Sequence, residues 1–330
     1  MTPEHKHLAS RRRVLELLTV ALAYVSSGVS RAVAPKAAAL PQDGVRWITL
    51  SSGHKVWTQR MGSGPTKVLL LHGGPGFSHD YLQCFADFLP KAGYEVYFYD
   101  QLGCGLSDRP TDPTLWTLER YIQEVEEVRT ALGLERFVLY GHSWGGILGI
   151  EYALRHQAAL SAFVLSNMTA SITDYLAYTG QLRAALPEAA REALDRLEAA
   201  GQASSPEFNQ IIERELYTRH VLRLDPWPAA VTRSFASVNA QIYNQMQGAN
   251  EFVFTGNLKS WDRWKDLPAI RTKTLVMGAE NDEMNPADIR REASLLPNAE
   301  LFLSKKGSHL AMWDDQANYF AAILAFLKKV

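Results

Sequence analysis

Gly141-His142-Ser143-Trp144-Gly145 fits G-x-S-x-G, and its setting carries more weight than the pattern. An apolar run at 137–140 precedes it and a helical run at 147–156 follows. A serine on a sharp turn between strand and helix has its hydroxyl pushed out above the sheet, with the helix N-terminus favouring negative charge that develops there. Glycines at 141 and 145 let neighbouring backbone approach closely. A serine hydroxyl attacks only when a base removes its proton. In sites of this kind the acid and the base follow the nucleophile in the order Ser, Asp, His. The acid candidate is Asp282 in Gly278-Ala279-Glu280-Asn281-Asp282-Glu283, with Glu280 and Glu283 as competitors. The base candidate is His309 in Gly307-Ser308-His309. His72 and His142 are rivals by composition, but His72 belongs to a glycine turn and His142 abuts the nucleophile. That turn, His72-Gly73-Gly74-Pro75-Gly76, frees backbone N–H groups to face an oxyanion. The expected oxyanion donors are the N–H groups of Gly74 and Trp144; an ordinary Gly-Pro turn is the bland alternative. A triad and an oxyanion hole need no cofactor and no metal, and no Cys/His cluster has zinc spacing.

The elements that must position these residues alternate strand and helix. Runs at 45–50 and 55–60, separated by Ser52-Gly53, read as a hairpin. Short apolar runs at 68–71, 94–99, 137–140, 162–165 and 274–277 suit strands buried on both faces, as in a parallel sheet. A further strand is expected at 300–303, so both the Asp282 and the His309 loops would leave the carboxyl edge of the sheet, where sites of open α/β folds form. Leu118, Tyr121, Val125, Val128 and Leu132 follow a helical period, which assigns Glu124, Glu126, Glu127 and Arg129 to the other face. The last helix carries the stripe Phe320, Ile323, Leu324 and Leu327, with Asp314 or Asp315 expected to cap it. Alternation breaks down after Thr169 and resumes near Asp266, the layout of a helical cap inserted after the sixth strand. The expected organisation is an extension over 1–40, core over 41–168, cap over 169–265 and core again over 266–330.

The chain has 330 residues, 34 basic and 35 acidic, for a net charge of -1, so no global field draws it to nucleic acid or acidic lipid. Two cysteines, Cys84 and Cys104, are too few for a disulfide scaffold and read as buried hydrophobes, or as a single bridge if the protein is exported. Export is expected from the N-terminus. Ser10-Arg11-Arg12-Arg13, whose arginine pair after serine resembles the twin-arginine type, precedes a mostly apolar run from 17 to 29, and Ala32-Val33-Ala34 offers a small-residue cleavage pattern, so a periplasmic destination is expected. That run is too short to span a membrane, so the mature protein is expected off it. A cytoplasmic extension, amphipathic or disordered, is the alternative.

Three motifs together resemble the proline iminopeptidase (prolyl aminopeptidase) family. They are His72-Gly73-Gly74-Pro75-Gly76, Asp100-Gln101-Leu102-Gly103-Cys104-Gly105-Leu106-Ser107 and Gly141-His142-Ser143-Trp144-Gly145-Gly146. Asn250-Glu251-Phe252, Thr255-Gly256, Trp261-Asp262, Asn281-Asp282-Glu283, Ser308-His309-Leu310 and Met312-Trp313 are similar to the tricorn-associated aminopeptidase branch. The resemblance implies an α/β-hydrolase fold, a mostly parallel sheet flanked by helices with an inserted helical cap. It implies removal of an N-terminal residue, often proline, with acidic side chains holding the free amine. The matching positions are Glu251 and Glu283. His142 departs from the small residue that many relatives carry there, and the export-like N-terminus departs from the cytoplasmic peptidases. The expected partner is a small molecule or short peptide with a free amino group. An esterase, a lactonase or a deaminoacylase of a small metabolite on the same triad is the alternative, and a non-catalytic binding protein a third.

Overall fold

The computed structural model describes residues 43–330 apart from 204, so the expected export segment lies outside the described residues. Eight strands form one sheet in the order β1-β2-β4-β3-β5-β6-β7-β8. The strands β1 (Val45–Thr49) and β2 (Lys55–Met61) pair antiparallel, and β2 pairs antiparallel with β4 (Glu95–Asp100). From there β3 (Lys67–Leu71), β5 (Phe137–His142), β6 (Leu160–Ser166), β7 (Thr274–Ala279) and β8 (Ala299–Ser304) run parallel.

Side chains alternate across this sheet, and the core divides accordingly. Leu70, Val138, Tyr140, Val164 and Met277 pack on one face, while Leu69, Leu71, Leu139, Leu165 and Val276 pack on the other. A slip of one residue would exchange the two sets, so burial on both faces specifies the register. Helices cover both faces. The first two are α1 (Leu118–Ala131), capped by Thr117, and α2 (Trp144–His156) directly after Ser143.

Glu124 corrects the face assigned to it. It is buried, accepting from Leu102 N at 2.9 Å and from the Tyr99 hydroxyl, and it pairs with Arg120. The helical period places its position toward the rim of the apolar stripe, and a charge-assisted cluster offsets its desolvation there. The expected cap of the last helix is also corrected. Asp315 stands just before that helix but its carboxylate accepts from Ser304 Oγ at 2.5 Å, while Asp314 holds Ser308 N at 3.1 Å. Both aspartates brace the His309 loop instead. Cys84 and Cys104 are free and buried.

Between β6 and β7 the chain forms α3 (Ile172–Ala184), α4 (Glu188–Ala199), α5 (Pro206–Ile212), a π-helical segment (Glu213–Val221), α6 (Ala229–Ala236) and α7 (Ala240–Met246). After β7 come α8 (Pro286–Leu295), α9 (Ala311–Asp314) and α10 (Gln316–Leu327). The inserted helices are fastened to the core at several places, two of them beside the site. Asn239 N donates to Gly76 O at 2.8 Å, which ties the start of α7 to the glycine turn, and Arg233 Nε donates to Asp80 Oδ1 at 3.0 Å, which ties α6 to the segment just after it. His309 N and Leu310 N each donate at 2.9 Å, to His220 O and Val221 O, so the π-helical segment grips the backbone of the histidine loop.

Candidate active site

Ser143 sits at φ 56 and ψ -126, a region costing a non-glycine residue about 1–3 kcal/mol. The surroundings hold it there. A Cβ on Gly145 would lie 2.3 Å from Leu71 O, so only glycine lets α2 start this close to β3. Ser143 N donates to Ser166 O at 3.1 Å, fastening the turn to the end of β6.

His309 Nδ1 donates to Asp282 Oδ1 at 2.9 Å. Asp282 is fully buried, and its carboxylate accepts two further bonds, from Met284 N at 3.0 Å and from Asn167 Nδ2 at 2.7 Å. Its competitors are placed elsewhere. Glu280 pairs with Arg290 at 2.7 Å at the surface, and Glu283 approaches the other ring nitrogen, His309 Nε2, at 3.7 Å. Ser143 and His309 line one cavity, with no hydrogen bond between Ser143 Oγ and the ring among the described residues. Such bonds are often long before substrate arrives.

Asn167 carries no catalytic motif in the sequence. It takes the left-handed conformation at φ 52, which asparagine tolerates, and its amide fixes the second oxygen of Asp282. Its available signal was a polar pair, Ser166-Asn167, ending an apolar strand at the carboxyl edge.

The glycine turn is held by buried polar groups. Gly74 has φ +116, and a Cβ there would meet Gly76 N at 2.7 Å. His72 Nδ1 donates to Gly73 O at 2.9 Å, and His72 Nε2 accepts from Gln101 N at 3.1 Å, which specifies its neutral tautomer. Burial keeps its pKa low. Gly73 O and Gly74 N–H belong to one trans peptide and point in opposite directions. Pinning the carbonyl therefore aims the Gly74 N–H. Neither the Gly74 nor the Trp144 N–H has a protein acceptor among the described residues. Both are free for an oxyanion.

Glu251 and Glu283 are both buried but are satisfied very differently. Glu251 Oε1 accepts from the Tyr243 hydroxyl at 2.7 Å and Oε2 from Gln247 Nε2 at 2.6 Å. Its carbonyl accepts from the Tyr175 hydroxyl. Both oxygens of Glu283 lack a hydrogen-bond partner among the described residues. Burial raises the pKa of each, and Glu283 is pushed well above the carboxylate range by burial, then by Glu251 and Asp282.

Two cavities share Ser143 and Glu251. One, with about 310 Å³ of empty space, also borders His309 and Gly74. The other, with about 270 Å³, borders Trp144 and is walled by Met168, Phe254, Leu258 and Met284. No cluster of three or more His, Cys, Asp or Glu suited to a metal occurs among the described residues.

The family model described as alpha/beta hydrolase fold matches residues 66–316. The chain is 40% identical over 281 residues to a proline iminopeptidase of Flavobacterium johnsoniae, covering 84% of this chain and 94% of that one. The crystal structure of VinJ superposes with a TM-score of 0.83 at 32% identity, covering 88% of this chain and 99% of VinJ. That of a Mycobacterium smegmatis proline iminopeptidase superposes with a TM-score of 0.78 at 33% identity, over 86% and 98% of the two chains. With Ser143, His309 and Glu251 around one cavity, and Asp282 and Glu283 buried behind the histidine, the chain belongs to the proline iminopeptidase family of α/β hydrolases, and it is a hydrolase of the aminopeptidase kind.

Proposed function

We propose that this enzyme releases the N-terminal residue, proline or another small apolar one, from peptides or amino-acid amides through a covalent acyl-enzyme. Ser143 Oγ attacks the carbonyl carbon of the first residue while its proton passes to His309 Nε2. Asp282 holds the ring by Nδ1, leaving Nε2 as the base, and stabilises the imidazolium that forms. The carbonyl oxygen becomes an oxyanion facing the Gly74 and Trp144 N–H groups. The C–N bond then breaks, the leaving nitrogen takes the proton from His309, and water completes the cycle by the same steps.

The observation that carries the aminopeptidase reading is Glu283. Buried polar groups are almost always paired, yet both of its carboxylate oxygens are buried beside His309 with no hydrogen-bond partner among the described residues, near a second buried carboxylate. A substrate ammonium supplies the missing donors and charge. Glu251 and Glu283 then count one residue inward from the free terminus to the scissile bond. The apolar cavity beside Trp144 suits the side chain of that first residue, and the names of the curated relatives favour proline there. The insertion over 169–265 acts as the cap that carries Glu251 over the core.

The test compares prolyl-4-nitroanilide with its N-acetylated form. Hydrolysis confined to the free amine is expected; equal rates on both would overturn the reading in favour of a general amidase or esterase. Export is a separate proposal from the Arg11-Arg12 pair and Ala32-Val33-Ala34: protein recovered from its host should begin near Pro35. An intact Met1 or Thr2 in the cytosolic fraction would overturn it.

A further inference from the structure

We propose that the cavity bordering His309 is a leaving-group site for uncharged, apolar amines, so that dipeptides with a free carboxylate on the second residue are poor substrates. This rests on the aminopeptidase reading and deepens it. The leaving nitrogen must take its proton from His309, so the leaving group lies in the cavity that His309 borders; the other cavity does not border it. Its walls beyond the reacting groups and the glycine turn are Phe77, Val221, Phe235 and Leu310, with the Phe77 and Phe235 rings 4.7 Å apart, and Tyr81 and His142, whose polar atoms are already bonded to each other, to Gly73 N and to His309 O. Among the described residues no lysine or arginine lines it, and the one acidic side chain on it is Glu251. The α-carboxylate of a dipeptide's second residue sits only two bonds from the scissile nitrogen. It would be buried against these walls with no cation to pair it, and near a carboxylate of like charge. An amide, an arylamine or a longer peptide, whose carboxylate reaches solvent, avoids that cost.

The test uses the wild-type enzyme on Pro-Phe-NH2 and Pro-Phe at the same pH. The amide should have the higher kcat/KM by at least about tenfold, the order of one unpaired buried polar group. Pro-Phe-Gly should fall near the amide. Equal constants for amide and acid, or a preference for the acid, would overturn the proposal. Turnover of nitrophenyl acetate but of none of the three peptides would overturn the aminopeptidase reading, and this proposal with it.

We also infer, from a separate set of bonds, that His142 is a positioning residue that couples the base to the oxyanion turn. His142 Nε2 lies 2.9 Å from His309 O. A carbonyl only accepts, so Nε2 carries the hydrogen and Nδ1 is the acceptor. The Tyr81 hydroxyl at 3.0 Å therefore donates to Nδ1, and its oxygen accepts from Gly73 N at 2.6 Å. One directed chain thus runs from the oxyanion turn through Tyr81 and His142 to the backbone of the base. Burial, and then His309, keep the ring neutral and so preserve the direction of the chain.

His142→Ala should lower kcat about tenfold or more at nearly unchanged KM, because an oxyanion forms only in the transition state. His142→Gln, which keeps a donor of similar reach toward His309 O, should recover most of it. Tyr81→Phe is the second probe, should His142→Ala fail to fold: it removes the link without emptying the space, and should lower kcat in the same way. Unchanged kcat per folded molecule in His142→Ala or Tyr81→Phe, or equal loss in kcat and 1/KM, would overturn the inference.

Discussion

Asp282 and Glu251 are both buried carboxylates, yet one belongs to the strand ends and the other to the helical insertion. Asp282 follows β7 and is held by backbone and side chains of the core: Met284 N, Asn167 and His309. Glu251 depends on Tyr243 and Gln247 from the insertion, and on Tyr175 across it. At the strand ends, a few turns on a rigid parallel sheet aim the reacting groups. In the insertion, packed helices and aromatic hydroxyls place one charge over them. On the proposed function, the core carries the bond-breaking chemistry and Glu283, and the insertion adds Glu251, the second carboxylate facing the substrate amine.

Ser143→Ala is the largest expected perturbation of the first half. It should lower kcat by about 10⁴–10⁶ with the fold intact by circular dichroism. Retention of more than about a hundredth of wild-type activity would break the assignment of chemistry to the strand ends.

Glu251→Gln tests the second half. It should cost about 1.5–3 kcal/mol, roughly ten- to a hundredfold in kcat/KM, on a free-amine anilide. Nitrophenyl acetate offers no ammonium, so its hydrolysis should change far less. Equal loss on both substrates would erase the distinction between the regions. The same division predicts a pH effect. Burial raises both glutamate pKa values, so on acidification these carboxyls gain protons earlier than ordinary ones. KM for free-amine substrates should then rise at a pH where KM for an uncharged ester does not.

Asn167→Gly keeps the left-handed backbone while removing the amide that fixes Asp282. About 1–2 kcal/mol, roughly tenfold in kcat, is expected on amide and ester substrates alike. A loss confined to amine substrates would place Asn167 with the insertion's role instead.

The smallest effect on activity is expected at Glu213, in the π-helical segment. Its carboxyl is buried, Oε2 has no hydrogen-bond partner among the described residues, and burial raises its pKa from 4.5 to about 8. A carboxyl whose pKa is higher folded than unfolded favours folding least when it must ionise. Its contribution is most favourable below pH 4.5 and is lost as pH rises toward about 8. Glu213→Gln should therefore raise Tm by a few degrees at pH 8, and little or not at all at pH 4, with kcat nearly unchanged. An equal shift at both pH values would show that ionisation is not the cause.

What was legible in the sequence follows the same division. The parallel strands, the serine turn at Ser143 and the loops of Asp282 and His309 depend on apolar runs and glycine spacing, which act over a few residues. Glu251 and Glu283 were legible only through resemblance, since nothing local distinguishes them from solvated loop glutamates. The partners of buried polar groups were not legible at all. Asn167 reaches Asp282 across 115 positions, Glu124 meets Tyr99 and Leu102 from another element, and Asp315 turns from its helix to Ser304. Local turn chemistry is short-ranged and therefore written in neighbouring residues. Whether a carboxylate is paired, orphaned or aimed at a substrate is decided by distant segments that only the packed chain brings within 3 Å, and the unpartnered oxygens of Glu283 exist only in that packing.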